Sequence, residues 1–353
     1  MTTHSPLVRS LPDGPLDVVG DVHGEYQALL SLLDHLGYGA DGNHPHGRKL
    51  VFVGDLCDRG PDSVSVIQLV EKLVVAGHAF AILGNHELNL LRGEHKDGSG
   101  WFFDERLQAD QRYLPFKRPS PEQRVQILDF LSGLPLALER EDLRVVHAAW
   151  QADEIEVARV LTAHPAHRIY DQFQDQVDSV MRQDGRHQRY LDEKKTWQHR
   201  LENEQLGIPF LEAIAEYDVA NQAGNPIRVL TSGVERTGTV PFFSSHKWRF
   251  VDRVQWWDEY DDAVPVIIGH YWRMVEPVDR QTVGKGDPYL FDGVDAHAWH
   301  GRHRNVFCVD FSVGGRWRER RDNTPIGERF KLAAMRWPEK ALLFDNGHRL
   351  QTD

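Results

Sequence analysis

Cysteine is almost absent: the 353 residues hold two, Cys57 and Cys308. They stand far apart among apolar neighbours, which excludes a disulfide-stapled secreted scaffold and a thiolate zinc knuckle and points to a reducing, cytoplasmic setting. Long apolar runs are missing too. No stretch of about 18 consecutive apolar residues occurs, and the opening MTTHSPLVRSLPDG carries no signal-peptide core, so the sequence is expected neither to cross nor to enter a membrane. Positive charge is in deficit, 41 Lys+Arg against 53 Asp+Glu for a net −12, which argues against a duplex nucleic-acid binder. A local cationic site, including one made by bound metal, stays compatible with that balance. Gly/Ser or Pro linkers, fixed-period repeats and low-complexity tracts are also lacking. The remainder, 41% hydrophobic and 27% charged, is an ordinary globular composition.

What is present is an alternation of strand and helix signals. LDVVG at 16–20 is an apolar run closed by glycine; Tyr26, Leu29, Leu30, Leu33 and Leu36 then recur at helical spacing up to Gly37. LVFVG at 50–54 repeats the run, and beyond the Gly60-Pro61 turn Ser63 can cap a helix whose apolar face is Val64, Ile67, Val70, Leu73 and Val74. AFAILG at 79–84 reads as the third strand. LRVVHA at 143–148, IRVLTSG at 227–233, VPVIIGH at 264–270, NVFCVD at 305–310 and ALLFD at 341–345 read as later strands, apolar throughout and therefore covered on both faces. Polar, helix-leaning stretches at about 92–139 and 151–223 read as helical insertions on that core, giving a single α/β domain over 1–353. The aromatic, charged segment 244–262 has no readable pattern.

Chemistry concentrates where the strands end. LDVVG runs into Asp21-Val22-His23-Gly24, LVFVG into Asp55-Leu56-Cys57-Asp58-Arg59-Gly60, and AFAILG into Asn85-His86-Glu87, while later strands deliver His147 and His270. Ligands of open α/β sheets gather at the carboxyl ends of strands, so these residues are expected to converge. Two carboxylates, an amide oxygen and three imidazoles form a donor set suited to Mn, Zn or Fe rather than Cu(I) or an iron–sulfur cluster.

GDVHG at 20–24, GDLCDRG at 54–60 and GNHE at 84–87, in that order, resemble the signature of the calcineurin-like metallophosphoesterases, specifically their phosphoprotein phosphatase branch. The extended GDLCDRGPDS is most similar to small bacterial members, which include protein phosphatases, symmetrical dinucleoside tetraphosphatases and end-healing RNA phosphatases. VFCVDFSVG at 306–314 resembles the family's late core strand. The resemblance implies a metallophosphoesterase-type β-sandwich core with flanking helices. It also implies two divalent ions, Mn first with Fe or Zn as alternatives, and a phosphorylated substrate: a phosphoprotein, a small phosphate ester or a nucleotide. On the same resemblance, Asp21 and His23 hold one metal, Asp55 bridges both, and Asn85, His147 and His270 hold the second. Asp58 is then expected to orient His86, the general acid, and Arg59 to bind phosphate oxygens, with Arg236 as a second phosphate-binding arginine and Arg273 next in line. Two such ions, about 3.5–4 Å apart, can bring a shared water near neutrality in pKa and stabilise in-line displacement at phosphorus, with hydroxide as the nucleophile. An imidazole backed by a carboxylate suits protonation of the leaving oxygen. The expected activity is hydrolysis of phosphate monoesters, with dinucleoside tetraphosphate hydrolysis as the alternative and a catalytically silent binding protein as the remaining one.

Other signals read more plainly. The letters of GxGxxG at 37–42 follow a helix and read as a helix stop and turn. His297, His300 and His303 read as a polar loop rather than a metal site. Trp150, Trp256, Trp257 and Trp272 read as core ahead of a stacking surface, and Cys57 as an apolar filler. For His147 and His270 taken alone, a satisfied buried imidazole is the competing reading.

Overall fold

The structure, a computed structural model, describes residues 6–244, 247–277 and 289–353. Its strands form two mixed sheets and a ribbon. The two sheets alternate along the chain: β1 (Val8–Ser10) is followed by β2 (Leu16–Val19), β3 (Lys49–Phe52) and β4 (Ala79–Ala81), then by β5 (Ala137–Arg140) and β6 (Leu143–Val146). The ribbon is β7 (Glu235–Ser244) and β8 (Lys247–Arg253); β9 (Val266–Ile268), β10 (Val306–Cys308), β11 (Ala333–Trp337), β12 (Ala341–Phe344) and β13 (Arg349–Gln351) complete the set. One sheet has the order β13-β12-β11-β2-β3-β4, in which β2, β3 and β4 are parallel. The other has the order β1-β5-β6-β9-β10, with β6, β9 and β10 parallel.

Why these runs are apolar throughout follows from the period of two along a strand. Leu16, Val18, Val51 and Met335 of one sheet meet Leu138, Val145, Ile267 and Phe307 of the other in a single buried cluster, the filling of a sandwich. The residues one step along, such as Val19, Phe52, Val146 and Ile268, join a separate cluster with helix residues Leu29, Leu32, Ile67 and Val70. These last belong to α1 (Tyr26–Leu36), closed by Gly37 in the left-handed region (φ 95°), and α2 (Ser63–Val75). Asp62, not Ser63, caps α2, accepting from the Ser65 amide at 2.8 Å. Ser63 is drawn elsewhere: its hydroxyl accepts the Asp58 amide at 3.0 Å.

Three further departures from the sequence reading have local causes. IRVLTSG is not a strand: with Pro226 it forms a helix, Pro226–Ser232, because Asn225 accepts the Arg228 amide and the proline occupies the first turn, a start signal that outweighs the β-branched residues. Ala137–Arg140 is a sheet strand, so the helix-leaning stretch read at 92–139 ends before it; its long helix is Pro121–Ser132. The 244–262 segment supplies β8 and a turn that buries Trp256 and Trp257; its residues 245 and 246 lie outside the described residues. Helices fill most of 152–223, and the last of them, Glu212–Ala223, packs on the ribbon through Ile214, Ala215 and Phe250. Among the described residues no helix is long and apolar enough to cross a membrane.

Candidate dinuclear metal site

The segments that leave β2, β3, β4, β6 and β9 meet. Asp55 Oδ1 lies 3.4 Å from His147 Nε2, and Asn85 Oδ1 lies 3.3 Å from that same nitrogen and 2.9 Å from His270 Nδ1. The His270 amide donates to Asp21 at 3.2 Å, and His23 Nε2 stands 3.9 Å from both Asp21 and Asp55. Asp55, His147 and His270 each place a ligand-type atom within 4.8 Å of the others, as do His23, Asp55 and His86. The six residues assigned to metals by the motifs are thus gathered into one cage.

The cage is held under strain and at close quarters. His23, Asp55, Asp58, Arg59 and His270 all have left-handed backbone, with φ between 45° and 74°. Such non-glycine conformations cost on the order of 1–3 kcal/mol each and persist where surrounding structure enforces them. A Cβ on Gly269 would lie 2.1 Å from Asp21 Oδ1, and one on Gly84 would lie 2.2 Å from Asp55 Oδ1, so only glycine lets these turns touch the carboxylates. Glu87, fully buried, ties the loops together: its carboxylate accepts the amides of Asp55 and Leu56 at 2.8 Å and of Gly84 at 2.9 Å.

The donors are oriented as a cation needs them. His23 Nδ1 donates to the Cys57 carbonyl at 2.9 Å and His147 Nδ1 to the Val53 carbonyl at 2.7 Å, which leaves both Nε2 atoms facing the cage. His270 Nε2 is buried with no hydrogen-bond partner among the described residues. Burial, then Arg59 and His86, push the His23 pKa well down, keeping that ring neutral as a metal ligand must be. Burial and the nearby Asp310 raise Asp21; against the cost of burial, His147 and His86 hold Asp55 well below the usual carboxylate range. Against the same cost, Asp55 and Asp21 lift His147 to about 10. Three buried carboxylates, Asp21, Asp55 and Asp310, crowded with the imidazoles of His23, His147 and His270 form a donor set that fits a pair of divalent ions.

Beside the cage runs a second chain of contacts. His86 Nδ1 donates to Asp58 Oδ2 at 2.6 Å, and Trp101 Nε1 donates to the other oxygen of Asp58, also at 2.6 Å. Burial disfavours the imidazolium of His86, but Asp55 and Asp58 outweigh it and raise its pKa. The Arg59 guanidinium spans the opening, Nη1 at 3.0 Å from His23 Nε2 and Nη2 at 3.2 Å from His86 Nε2.

The two further arginines lie elsewhere. Arg236 is exposed on β7, opposite Asp252, and is not among the described residues lining the cavity at His23 and Arg59. Arg273 is fully buried, donating to the carbonyls of Asp295 (2.8 Å) and Cys308 (3.3 Å), so no substrate reaches it. On the ribbon it is Arg253, 5.9 Å from the Tyr271 ring, whose charge bears on His270. His297, His300 and His303 do not converge: His300 is buried against Arg273, and the other two face Asp353 and Asp261. Trp150, Trp256 and Trp257 are core, whereas Trp272 lines the cavity. Sequence reasoning passed over Asp310, although an Asp closing an apolar run is the same signal that marked Asp21 and Asp55. It also passed over Glu87 as a loop tie and Trp101, for which no local signal exists.

The profile of the calcineurin-like phosphoesterases matches residues 14–271. The chain belongs to that family. Among curated calcineurin-like relatives, the bis(5'-nucleosyl)-tetraphosphatase PrpE [asymmetrical] of Halalkalibacterium halodurans is 49% identical over 152 residues, which are 39% of this chain and 58% of that one. The protein of the same name from Geobacillus thermodenitrificans is 35% identical over 156 residues, 40% of this chain and 59% of the relative. The match therefore spans under three fifths of either relative's length. Both relatives carry "asymmetrical" in their names, whereas the tetraphosphatases among the bacterial members that the motifs resemble are symmetrical. A crystal structure of a cold-active protein-tyrosine phosphatase of a psychrophilic Shewanella is similar at 15% identity and a TM-score of 0.48, over 99% of this chain and 83% of that one.

Proposed function

We propose that this chain is a metal-dependent phosphohydrolase, working with Mn first among the divalent metals, in the cytoplasm. Asp21 and His23 would hold one ion, Asn85, His147 and His270 a second, and Asp55, set between the two groups, would serve both. Two ions held there supply Lewis acidity, acidifying solvent and offsetting charge on the phosphoryl oxygens. Arg59 takes phosphate oxygens with its planar fork, which a lysine does not reproduce. His86 delivers a proton from Nε2 to the leaving oxygen, and Asp58 fixes its tautomer through Nδ1. Trp101 in turn holds Asp58, so the acid is aimed by a buried chain of two short hydrogen bonds.

The observation that carries this reading is the His86–Asp58–Trp101 relay standing beside the ligand cage with Arg59 across the opening. The motifs put a phosphate monoester first. Aromatic side chains at the cavity beside His23 and Arg59, and the names of the curated relatives, favour a nucleoside polyphosphate over a phosphoprotein. A panel of phosphopeptide, aryl phosphate, cyclic phosphodiester and dinucleoside tetraphosphate, run with added Mn, tests it. The highest kcat/KM is expected on the dinucleoside tetraphosphate, abolished by chelator. Turnover indifferent to chelator would refute the proposal.

A further inference from the structure

We propose that Glu25 and Arg320 are positioning residues of the metal cage: their ion pair holds Gly314 against the ring of His23 and so keeps Nε2 of His23 aimed at the first ion. The inference rests on the proposed metal site and adds two residues to what holds it in shape.

Glu25 follows the Asp21–Gly24 turn and stands at the N-cap of α1. A side-chain oxygen at that position ordinarily accepts a helix amide, but the Glu25 carboxylate caps nothing. It turns instead to Arg320, 295 positions along the chain, whose Nη2 lies 2.7 Å from Oε1 and whose Nη1 lies 3.1 Å from Oε2. Glu25 is buried, and its main chain is fixed as well: its amide donates to the Val22 carbonyl and its carbonyl accepts the Leu29 amide, both at 3.0 Å. Burial pushes the Glu25 carboxyl pKa up, and Arg320 is the largest opposing influence. Removing one partner of such a pair strands the other.

Arg320 belongs to a short helix, Arg316–Asp322, that three side chains fasten. Arg316 pairs with Asp345 at 2.6 Å, and Glu319 accepts the amides of Gly327 and Arg329 at 2.8 Å. Those two tie the helix to the segments flanking β11 and β12. Of the three, Arg320 is the one that reaches the turn carrying Asp21 and His23.

Just before the helix, Gly314 is packed on His23: a Cβ there would lie 2.5 Å from Cδ2, 2.9 Å from Cγ and 3.1 Å from Cβ of that residue. On the other side of the ring, Nδ1 donates to the Cys57 carbonyl at 2.9 Å. Cδ2 is bonded to Nε2, so a shift of Gly314 bears on the atom meant for the ion. The stretches 23–25 and 314–320 thus touch twice, through the ring and through the ion pair, and neither contact can slide without the other. Groups standing behind a metal-binding imidazole contribute about 10- to 100-fold to affinity.

The test follows Mn binding to the metal-free full chain by equilibrium dialysis with elemental analysis, with melting curves alongside. Wild type is compared with Arg320→Ala, Arg320→Lys, Glu25→Gln, Gly314→Ala, His23→Ala and Arg320→Ala combined with His23→Ala. Wild type is expected to bind two ions. Arg320→Ala should weaken one of them about tenfold, the one that His23→Ala also affects, and leave the other within about twofold. Arg320→Lys should recover most of that loss, and Gly314→Ala should weaken the same ion. Glu25→Gln, the same shape without the charge, should weaken it about threefold and serves if Arg320→Ala fails to fold. In the combined variant Arg320→Ala should add less than about twofold to His23→Ala, because the ring it aims is gone. The inference is overturned if Arg320→Ala and Glu25→Gln leave both affinities as in wild type or weaken both alike, or if lysine recovers nothing. It is equally overturned if Gly314→Ala binds both ions as wild type does, or if the loss persists in full without the His23 imidazole. Failure of the proposed metal site shows differently: wild type would itself bind fewer than two ions.

Discussion

Replacing Asp58 by asparagine separates positioning of the acid from everything else at the site. Asp58 is fully buried, and its backbone, at φ 74°, is one that asparagine tolerates well, so the loop should keep its shape. The carboxylate accepts two N–H groups, from His86 Nδ1 and Trp101 Nε1, each at 2.6 Å. Asparagine has one oxygen and one NH2. The indole can only donate, so the oxygen must face Trp101 and the NH2 must face His86. Nδ1 then has to accept, which moves the ring proton to Nε2 and removes the negative charge that favours the imidazolium. A hydrogen bond to a charged group contributes about 1.5–3 kcal/mol, or roughly 10- to 150-fold in rate at 1.36 kcal/mol per decade. That reaches only the bottom of the about 10²–10⁴-fold that general acid catalysis supplies, as expected when the acid is mis-set rather than removed. The assay compares kcat of Asp58→Asn with wild type on an alkyl phosphate, whose leaving oxygen needs a proton, and on an aryl phosphate with an acidic leaving group, alongside metal content by elemental analysis. The loss is expected on the alkyl substrate, with little on the aryl one and metal retained. Equal losses on both substrates, or none, would refute the assignment of His86 and Asp58.

The remaining predictions concern the cage. Glu87→Gln sets an NH2 against at least one backbone amide whichever way it turns, so thermal melting should show about 1.5–3 kcal/mol of lost stability together with weaker Mn binding; an unshifted melting curve contradicts the role given to Glu87. Gly84→Ala would drive a methyl to 2.2 Å from Asp55 Oδ1, and elemental analysis should find both metal positions depleted in a protein that still folds; full stoichiometry would show that the close approach is not needed. Because His147 is lifted to about 10 by Asp55 and Asp21 against burial, its proton must leave as an ion binds. Mn affinity should therefore rise with pH up to about pH 10, with protons released to a weak buffer on titration; binding without proton release would place the metal elsewhere.

Much of the site is legible in the chain because its parts are local. Asp21, His23, Asp55, Asp58, Arg59, Asn85 and His86 each stand within a few residues of an apolar run, and the rule that strand ends gather ligands needs no knowledge of which strands pair. Period and capping govern the same short range. They suffice for α1 and α2, and the Asn225-Pro226 start, weighed above the β-branched residues, makes IRVLTSG a helix on local grounds as well. The second arginine has no such local mark. Arg236 and Arg273 are reasonable by sequence neighbourhood, yet one ends on the exposed side of a ribbon and the other behind β10, since side-chain direction there depends on how the ribbon and the 295–300 segment pack.

Sequence alone thus determined the family and the candidate chemistry: residues proposed as ligands of two divalent ions, as an acid and as a phosphate fork, carried on strands of an α/β core. Tertiary structure alone decided what surrounds that chemistry. Trp101 behind Asp58 and Asp310 beside Asp21 are 43 or more positions from their neighbours at the site, the Trp101–Asp58 contact at a separation of 43. No periodicity or cap reaches so far, and such contacts exist only once two sheets and their covering helices have closed on one another.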